Sequence, residues 1–199
     1  VKGTLEVTKR PVTLTSATDW KYYDGDPLTN DLVTVGGEGF AAGEGATYDV
    51  TGTQTDAGSS KNKFDYTLIG GAKAENYDIT KSEGDLTVKP KTDVITITAA
   101  SDDKMYDGTA LKNDGYTYTD GILVKGDVLT AVVEGSITDA GTTDNVVTSY
   151  KVMRGDDEVT GNYTFGESVK GTLEVTKRPV TLTSATDSKT YDVTALTNS

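Results

Sequence analysis

The chain has 199 residues, no cysteine and no histidine, and 19 basic against 31 acidic residues, a formal charge of −12. Disulfide scaffolds, zinc sites built on Cys or His, and triads with a histidine base are therefore excluded. An acidic surface without clustered Lys and Arg also speaks against a nucleic-acid partner.

Hydrophobic residues reach only 35%, modest core material that suits small β-domains with many exposed hydroxyls better than a large enzyme core. No apolar run nears the roughly 18 residues that would span a membrane, so no membrane insertion is expected. The chain opens in the middle of a pattern and is read as a fragment of something longer.

The elements follow in chain order. Leu5 and Val7 alternate within GTLEV and predict a strand that ends at Lys9-Arg10-Pro11. Val12 and Leu14 alternate with threonines and predict the next strand. A charged stretch holding Lys21, Tyr23, Asp24 and Gly25 comes next, then strands over 46–51 and 63–69 separated by the Asp56-Ala57-Gly58 turn. Asn76-Tyr77 and a closing strand with Leu86 and Val88 lead to Pro90. The order then repeats: Ile95/Ile97, Lys104 with Tyr106-Asp107-Gly108, strands over 128–133 and 146–152 around Asp139-Ala140-Gly141, and 163–165 after Asn162. Leu173/Val175 close the unit before Pro179. Val180/Leu182 begin once more, followed by Lys189 and Tyr191-Asp192-Val193. No stretch of ten residues carries a helical apolar stripe.

Repetition is the dominant signal. Residues 1–19 recur unchanged at 169–187, and Tyr23, Tyr106 and Tyr191 are spaced 83 and 85 residues apart. The division read from this is the last strand of a preceding repeat at 1–9, complete repeats at 10–90 and 91–178, and the first strand of a truncated third at 179–199. About seven strands per repeat predict an all-β fold of tandem, immunoglobulin-like β-sandwich modules set end to end as an elongated rod. A β-grasp-like module is the alternative and requires a helix. Pro11, Pro90 and Pro179 sit at the joints, where no Gly/Ser linker occurs, so the chain is expected to pass stiffly between modules. The terminal strands lack a module of their own, and an unpaired edge invites a strand-mediated dimer through the ends.

The landmarks K-x-Y-D-G, T-D-A-G, N-Y-x-[IF] and a closing G-x-L-x-V before K-P or K-R-P, in this order, resemble the YDG and MBG repeat families of bacterial cell-surface, adhesin-like proteins. The resemblance covers essentially the whole chain. It implies a secreted, extracellular protein attached to the cell surface, with a Gram-positive cell wall as the expected setting, in which such modules form a stalk or contribute to adhesion. It carries over no catalytic residue. Val193, standing where Gly25 and Gly108 do, departs from the pattern.

Each motif has a structural reading beside a chemical one. In Tyr23-Asp24-Gly25, Tyr106-Asp107-Gly108 and Tyr191-Asp192, Tyr is expected to pack inward, Asp to cap the turn and Gly to supply permissive dihedrals. Recurrence in every unit favours that structural role over a ligand site. Trp20 and Tyr22 are the candidate ligand contacts, because sugars stack on exposed aromatics; host glycans or host proteins are the external partners considered, alongside neighbouring repeats of the same chain. The Asn162-Tyr163-Thr164 sequon receives little weight.

Asp102-Asp103 and Asp156-Asp157-Glu158 lack a calcium-loop pattern and are read as solvated clusters without counterparts in the first repeat. With 31 acidic residues, a carboxylate pair for glycoside hydrolysis can be drawn anywhere and carries no signal. No enzyme activity, metal or cofactor is expected. A covalent alternative, a Lys–Asn isopeptide bond, would use Lys21 or Lys104, Asn76 or Asn162, and Asp56 or Asp139.

Overall fold

The structure, a computed structural model, describes residues 2–197; Asn198 and Ser199, within the 179–199 stretch, and Val1 lie outside the described residues. The chain is all-β. Among the described residues the helical pieces are two three-residue 3-10 turns, at Ala74–Asn76 and Thr160–Asn162, so the helix that a β-grasp module requires does not form.

The first unit contains β1 (Arg10–Ser16), β2 (Asp19–Tyr22), β3 (Val33–Gly37), β4 (Gly45–Val50), β5 (Gly58–Lys61), β6 (Phe64–Ile69), β7 (Tyr77–Ser82) and β8 (Asp85–Lys89). β1 runs into β2, and β7 into β8, across two-residue bends. The two bent strands lie side by side in parallel, β1 against β7 and β2 against β8. A parallel pair needs a long crossover, and everything between Lys21 and Asn76 provides it. β3 pairs antiparallel with β1, β5 with β8, and β4 with β6. The sheets are thus mixed, not wholly antiparallel.

This gives each unit two ends. The head half holds β1, β3, β4, β6 and β7 around Val12, Leu14, Phe64 and Tyr77. The tail half holds β2, β5 and β8, with Leu28, Leu86 and Val88 buried. The alternation of Val12/Leu14 and Leu86/Val88 places those side chains on the covered face at period two.

The second unit repeats this plan with β9 (Val94–Ile95), β10 (Ile97–Ala99), β11 (Asp102–Met105), β12 (Tyr116–Tyr118), β13 (Asp127–Glu134), β14 (Gly141–Arg154), β15 (Asp157–Glu158), β16 (Thr164–Phe165) and β17 (Gly171–Thr176). β16 pairs parallel with β9, and β17 with β11. The strands corresponding to β5 and β6 are fused here into the 14-residue β14, which pairs with β17 through Gly141–Asn145 and with β13 through Val146–Arg154.

The strands expected from alternation between Val12 and Val175 are present, whereas those expected at Leu5/Val7 and Val180/Leu182 do not form. Those expectations missed β2, β3, β5, β7, β11, β12 and β15, whose residues are mostly polar, Gly-rich or half-exposed and are held by backbone pairing. Leu5, Val7, Val180 and Leu182 are exposed and unpaired. The same 19-residue sequence therefore does opposite things at its two positions. At 1–19 its second half forms β1 and its first half is free; at 169–187 its first half forms β17 and its second half is free.

Where the repeats agree inside, they agree in detail. Asn62 and Asn145, 83 residues apart, are fully buried. Asn62 Nδ2 donates to the carbonyls of Ala17 (3.0 Å) and Asn30 (2.8 Å); Asn145 Nδ2 donates to those of Ala100 (2.8 Å) and Asn113 (2.7 Å). Each amide ties the bend after the first strand to the loop before the third. In both, Oδ1 has no partner and sits over a glycine, Gly52 or Gly135, where a Cβ would approach it to 2.3 or 2.5 Å.

Candidate functional site

The most elaborate polar arrangement in the chain lies where the tail of the first unit meets the head of the second. It is built around Asp127, the first residue of β13, whose side chain is fully buried. Its Oδ2 accepts hydrogen bonds from Tyr163 Oη (2.5 Å) and, across the joint, from Tyr23 Oη (3.0 Å). Its Oδ1 accepts from Arg154 Nε at 2.6 Å.

Arg154, opposite Asp127 in the β13–β14 register, also lies over the Tyr23 ring (5.4 Å to the centroid) and donates to the Gly25 carbonyl (3.3 Å). The Tyr23 and Tyr163 rings meet edge to face at 5.6 Å. A few ångströms of joint thus satisfy a buried carboxylate with three donors, which a buried charge requires.

Burial, with the Asp127 carboxylate as acceptor, pushes the Tyr163 hydroxyl well above the usual tyrosine range, and burial likewise raises Tyr23. The bond to Asp127 raises Arg154 further. Both tyrosines therefore stay protonated donors under ordinary conditions.

A second clamp stands beside the first. Asn162 Nδ2 donates to Asp56 Oδ1 (2.8 Å), and its Oδ1 accepts the Ala57 N–H (2.6 Å). The linker is held on both sides of Pro90: Tyr23 N–H donates to the Lys89 carbonyl in the first unit, and Lys91 N–H to the Asn162 carbonyl in the second, at 2.8 and 2.9 Å. Apolar packing is continuous through the joint. Tyr23, Leu28, Leu86 and Val88 share one cluster with Ile95, Ile97, Leu129, Val152, Val159 and Tyr163.

The three Lys-x-Tyr-Asp copies form the same turn. Asp24, Asp107 and Asp192 accept through Oδ1 from the backbone N–H two residues on, at 3.0, 2.9 and 3.1 Å. Lys21, Lys104 and Lys189 bridge to that carboxylate at 2.6, 2.8 and 2.9 Å. These lysines hold Asp24, Asp107 and Asp192 below the usual carboxylate range. Gly25, Gly108 and Val193 all take positive φ, +89°, +83° and +65°. The turn is therefore local: it closes even at 189–194, where the surrounding chain is unpaired and a β-branched residue bears the left-handed conformation.

The inward-packing expectation for the tyrosine fails in two of three copies. Tyr23 is 2% exposed, but Tyr106 is 39% and Tyr191 86% exposed. Tyrosine at this position does not enter its own unit's core; Tyr23 is covered by the following unit, and among the described residues Tyr106 and Tyr191 are not covered in this way. Sequence reasoning also missed Asp127, Arg154 and Asn62/Asn145. Their signal is pairing with other residues across more than 25 positions, which no local pattern displays, although Asn62/Asn145 keep the 83-residue spacing.

Other expected site residues are placed as follows. Trp20 and Tyr22 are exposed neighbours, edge to face at 5.6 Å, with Lys89 Nζ 3.9 Å over the Trp20 ring. The isopeptide trio is not assembled within a unit. Lys21 and Lys104 are committed to their own turns, Asp56 meets Asn162 of the following unit, and Asn76 is exposed at the first head. The Asn162 sequon is buried in the joint. The pair Asp102-Asp103 has no counterpart pair, since Trp20 stands in the place of Asp103, but its first member does: Asp19 accepts from Asn30 Nδ2 as Asp102 does from Asn113 Nδ2. No family model, curated protein or solved structure matches the chain.

Proposed function

We propose that the chain is a length of structural stalk, a spacer whose repeated β-modules hold a binding domain away from a bacterial cell surface, and that it is not an enzyme. The observation that carries this reading is the joint. The core of one unit continues into the next, and a buried carboxylate, a reciprocal Asn–Asp clamp and a proline linker bonded on both sides fix their relative position. A flexible tether needs none of these; a spacer that must keep its length needs all of them. The extracellular, wall-attached setting and the end-to-end arrangement of sandwich-like modules follow from the resemblance of the K-x-Y-D-G and N-Y landmarks to surface-protein repeats.

Small-angle scattering tests the reading. A stalk segment gives an extended, single-conformer profile for residues 10–178, and Asp127→Ala broadens the distance distribution. A compact or already broad profile for the unaltered chain would overturn it.

A second reading rests on the exposed Trp20–Tyr22 pair as a sugar platform, repeated along the parent protein for multivalent binding to host glycan or mucin. It is weakened by the second unit, where the same strand positions carry Asp103 and Met105. Sugar binding on a glycan array that is abolished by Trp20→Ala would establish it.

A further inference from the structure

The first unit's tail and the second unit's tail present the same groups, but only one is covered. Asp139 and Ala140 stand where Asp56 and Ala57 do, Tyr106 where Tyr23 does, and Gly108 where Gly25 does, each at an 83-residue offset. In the second unit they border an open cleft of ≈ 490 Å³ that Tyr106, Asp139 and Ala140 line together with Lys177, Arg178 and Val180. The tail core there is correspondingly small: Leu111, Leu173 and Val175 with Ile137 beside them, separate from the main cluster.

The complementary face also exists in a second, uncovered copy. At the first unit's head, Tyr77 Oη donates to the Glu44 carboxylate and accepts the Ala41 N–H at 3.0 Å. This reproduces Tyr163, which donates to Asp127 and accepts the Val124 N–H at 2.9 Å. Asn76, exposed, occupies the place of Asn162 before the tyrosine. One component is missing: no arginine stands in the place of Arg154, and Arg10 at this head donates instead to the Gly39 carbonyl at 2.8 Å.

We propose that the Tyr106–Asp139 cleft is a docking site for the head of a second copy of this chain, so that copies associate head to tail. Tyr106 Oη donates to Glu44 of the incoming head, and Asn76 of that head donates to Asp139 and accepts the Ala140 N–H. The joint between the two units shows both halves of this contact already made. Such a contact is heterologous, using different surfaces on the two partners, so it does not close at a dimer. Without an Arg154 equivalent it is weaker than the internal joint, which also benefits from a covalent linker.

The test is sedimentation of the full chain up to about 1 mM, the range of effective concentration a short linker supplies. The average mass is expected to climb past that of a dimer as concentration rises. Tyr106→Ala combined with Asp139→Ala removes the tail contact, and Asn76→Ala removes the head contact. All three residues are exposed, and unchanged circular dichroism verifies folding. Each variant alone is expected to associate at least tenfold more weakly, whereas a mixture of the two forms heterodimers and nothing larger, because one tail and one head remain intact. Leu182→Asp, in the free terminal segment, is expected to leave association unchanged. A monomer throughout, association that survives the head and tail variants, or association lost with Leu182→Asp would each overturn the proposal, the last in favour of strand exchange through the ends.

Discussion

The tails of the two units are built from the same residues and differ in one respect: the first is covered and the second is not. Tyr23 is buried to 2% and Tyr106 is left 39% exposed, although both end the same kind of strand and both N–H groups bond the closing strand, at Lys89 and Thr176. Burial at this position is therefore a property of the pair of units. The unit is complete in its backbone pairing but incomplete in its core, as expected of repeats whose hydrophobic faces are buried against neighbours.

The largest test of that difference is Asp127→Ala. It leaves the Tyr23 and Tyr163 hydroxyls and the Arg154 guanidinium without their shared acceptor, and is expected to cost about 2–4 kcal/mol, discounted for the partial exposure of Arg154. Chemical denaturation followed by tyrosine emission measures it. The loss is expected to appear together with greater exposure of Tyr23, bringing the first tail to the state of the second.

The same cluster responds to alkali. Tyr23 and Tyr163 ionise at higher pH folded than unfolded, so folding favours the protonated forms. Their contribution is complete below the ordinary tyrosine value of about 10 and declines as pH rises from there through their raised folded values. Ultraviolet titration is expected to show a late-ionising group of tyrosines that includes Tyr23 and Tyr163 beside Tyr48 and Tyr77, whose values are also raised; in Asp127→Ala the part of that phase due to Tyr163 and Tyr23 moves to lower pH.

The glycines of the turns give a sharper comparison, because their backbones agree and their surroundings do not. Both Gly25 and Gly108 have positive φ, and alanine at either should cost about 1 kcal/mol for that alone. At Gly108 a Cβ meets nothing within 4 Å. At Gly25 it would lie 2.7 Å from Val124 Cγ1 and 2.9 Å from Arg154 Nη2, both across the joint. Gly25→Ala is thus expected to cost about 2–3 kcal/mol and Gly108→Ala about 1. Equal losses in thermal unfolding would show that the joint does not press on this turn.

The repeat, the all-β class and the strands with alternating Val, Ile and Leu were legible in the sequence, because period-two burial leaves a local trace. Proline at the joints was legible for the same reason. The mixed sheets were not: β1 and β7 meet in parallel across sixty-odd residues, and nothing in RPVTLTS names YDITKS as its neighbour. The joint was only half visible. Tyr23 was singled out as a core residue on its motif, yet the residues that make it so, Asp127 and Arg154, belong to the next unit. At those positions the first unit carries Glu44 and has no arginine, so the repeat spacing could not point to the pair.

Two smaller substitutions ask whether the units are otherwise equal. Asn62→Ala and Asn145→Ala each withdraw the donors for two backbone carbonyls, while also removing an acceptor that has no partner. About 1–2 kcal/mol is expected for each, and the same for both, since neither amide touches the joint. The lysines of the turns should matter least. Lys21→Ala and Lys104→Ala remove partly exposed ion pairs of a kind that contributes a few tenths of a kcal/mol, and the turn retains its Asp-to-backbone bond and its glycine. If Lys21→Ala proved far more costly than Lys104→Ala, the two turns would differ in more than their cover, and the joint would reach further into the first unit than Tyr23 and Gly25. Matched small losses would place the whole difference between the tails in the cover that the second unit gives the first.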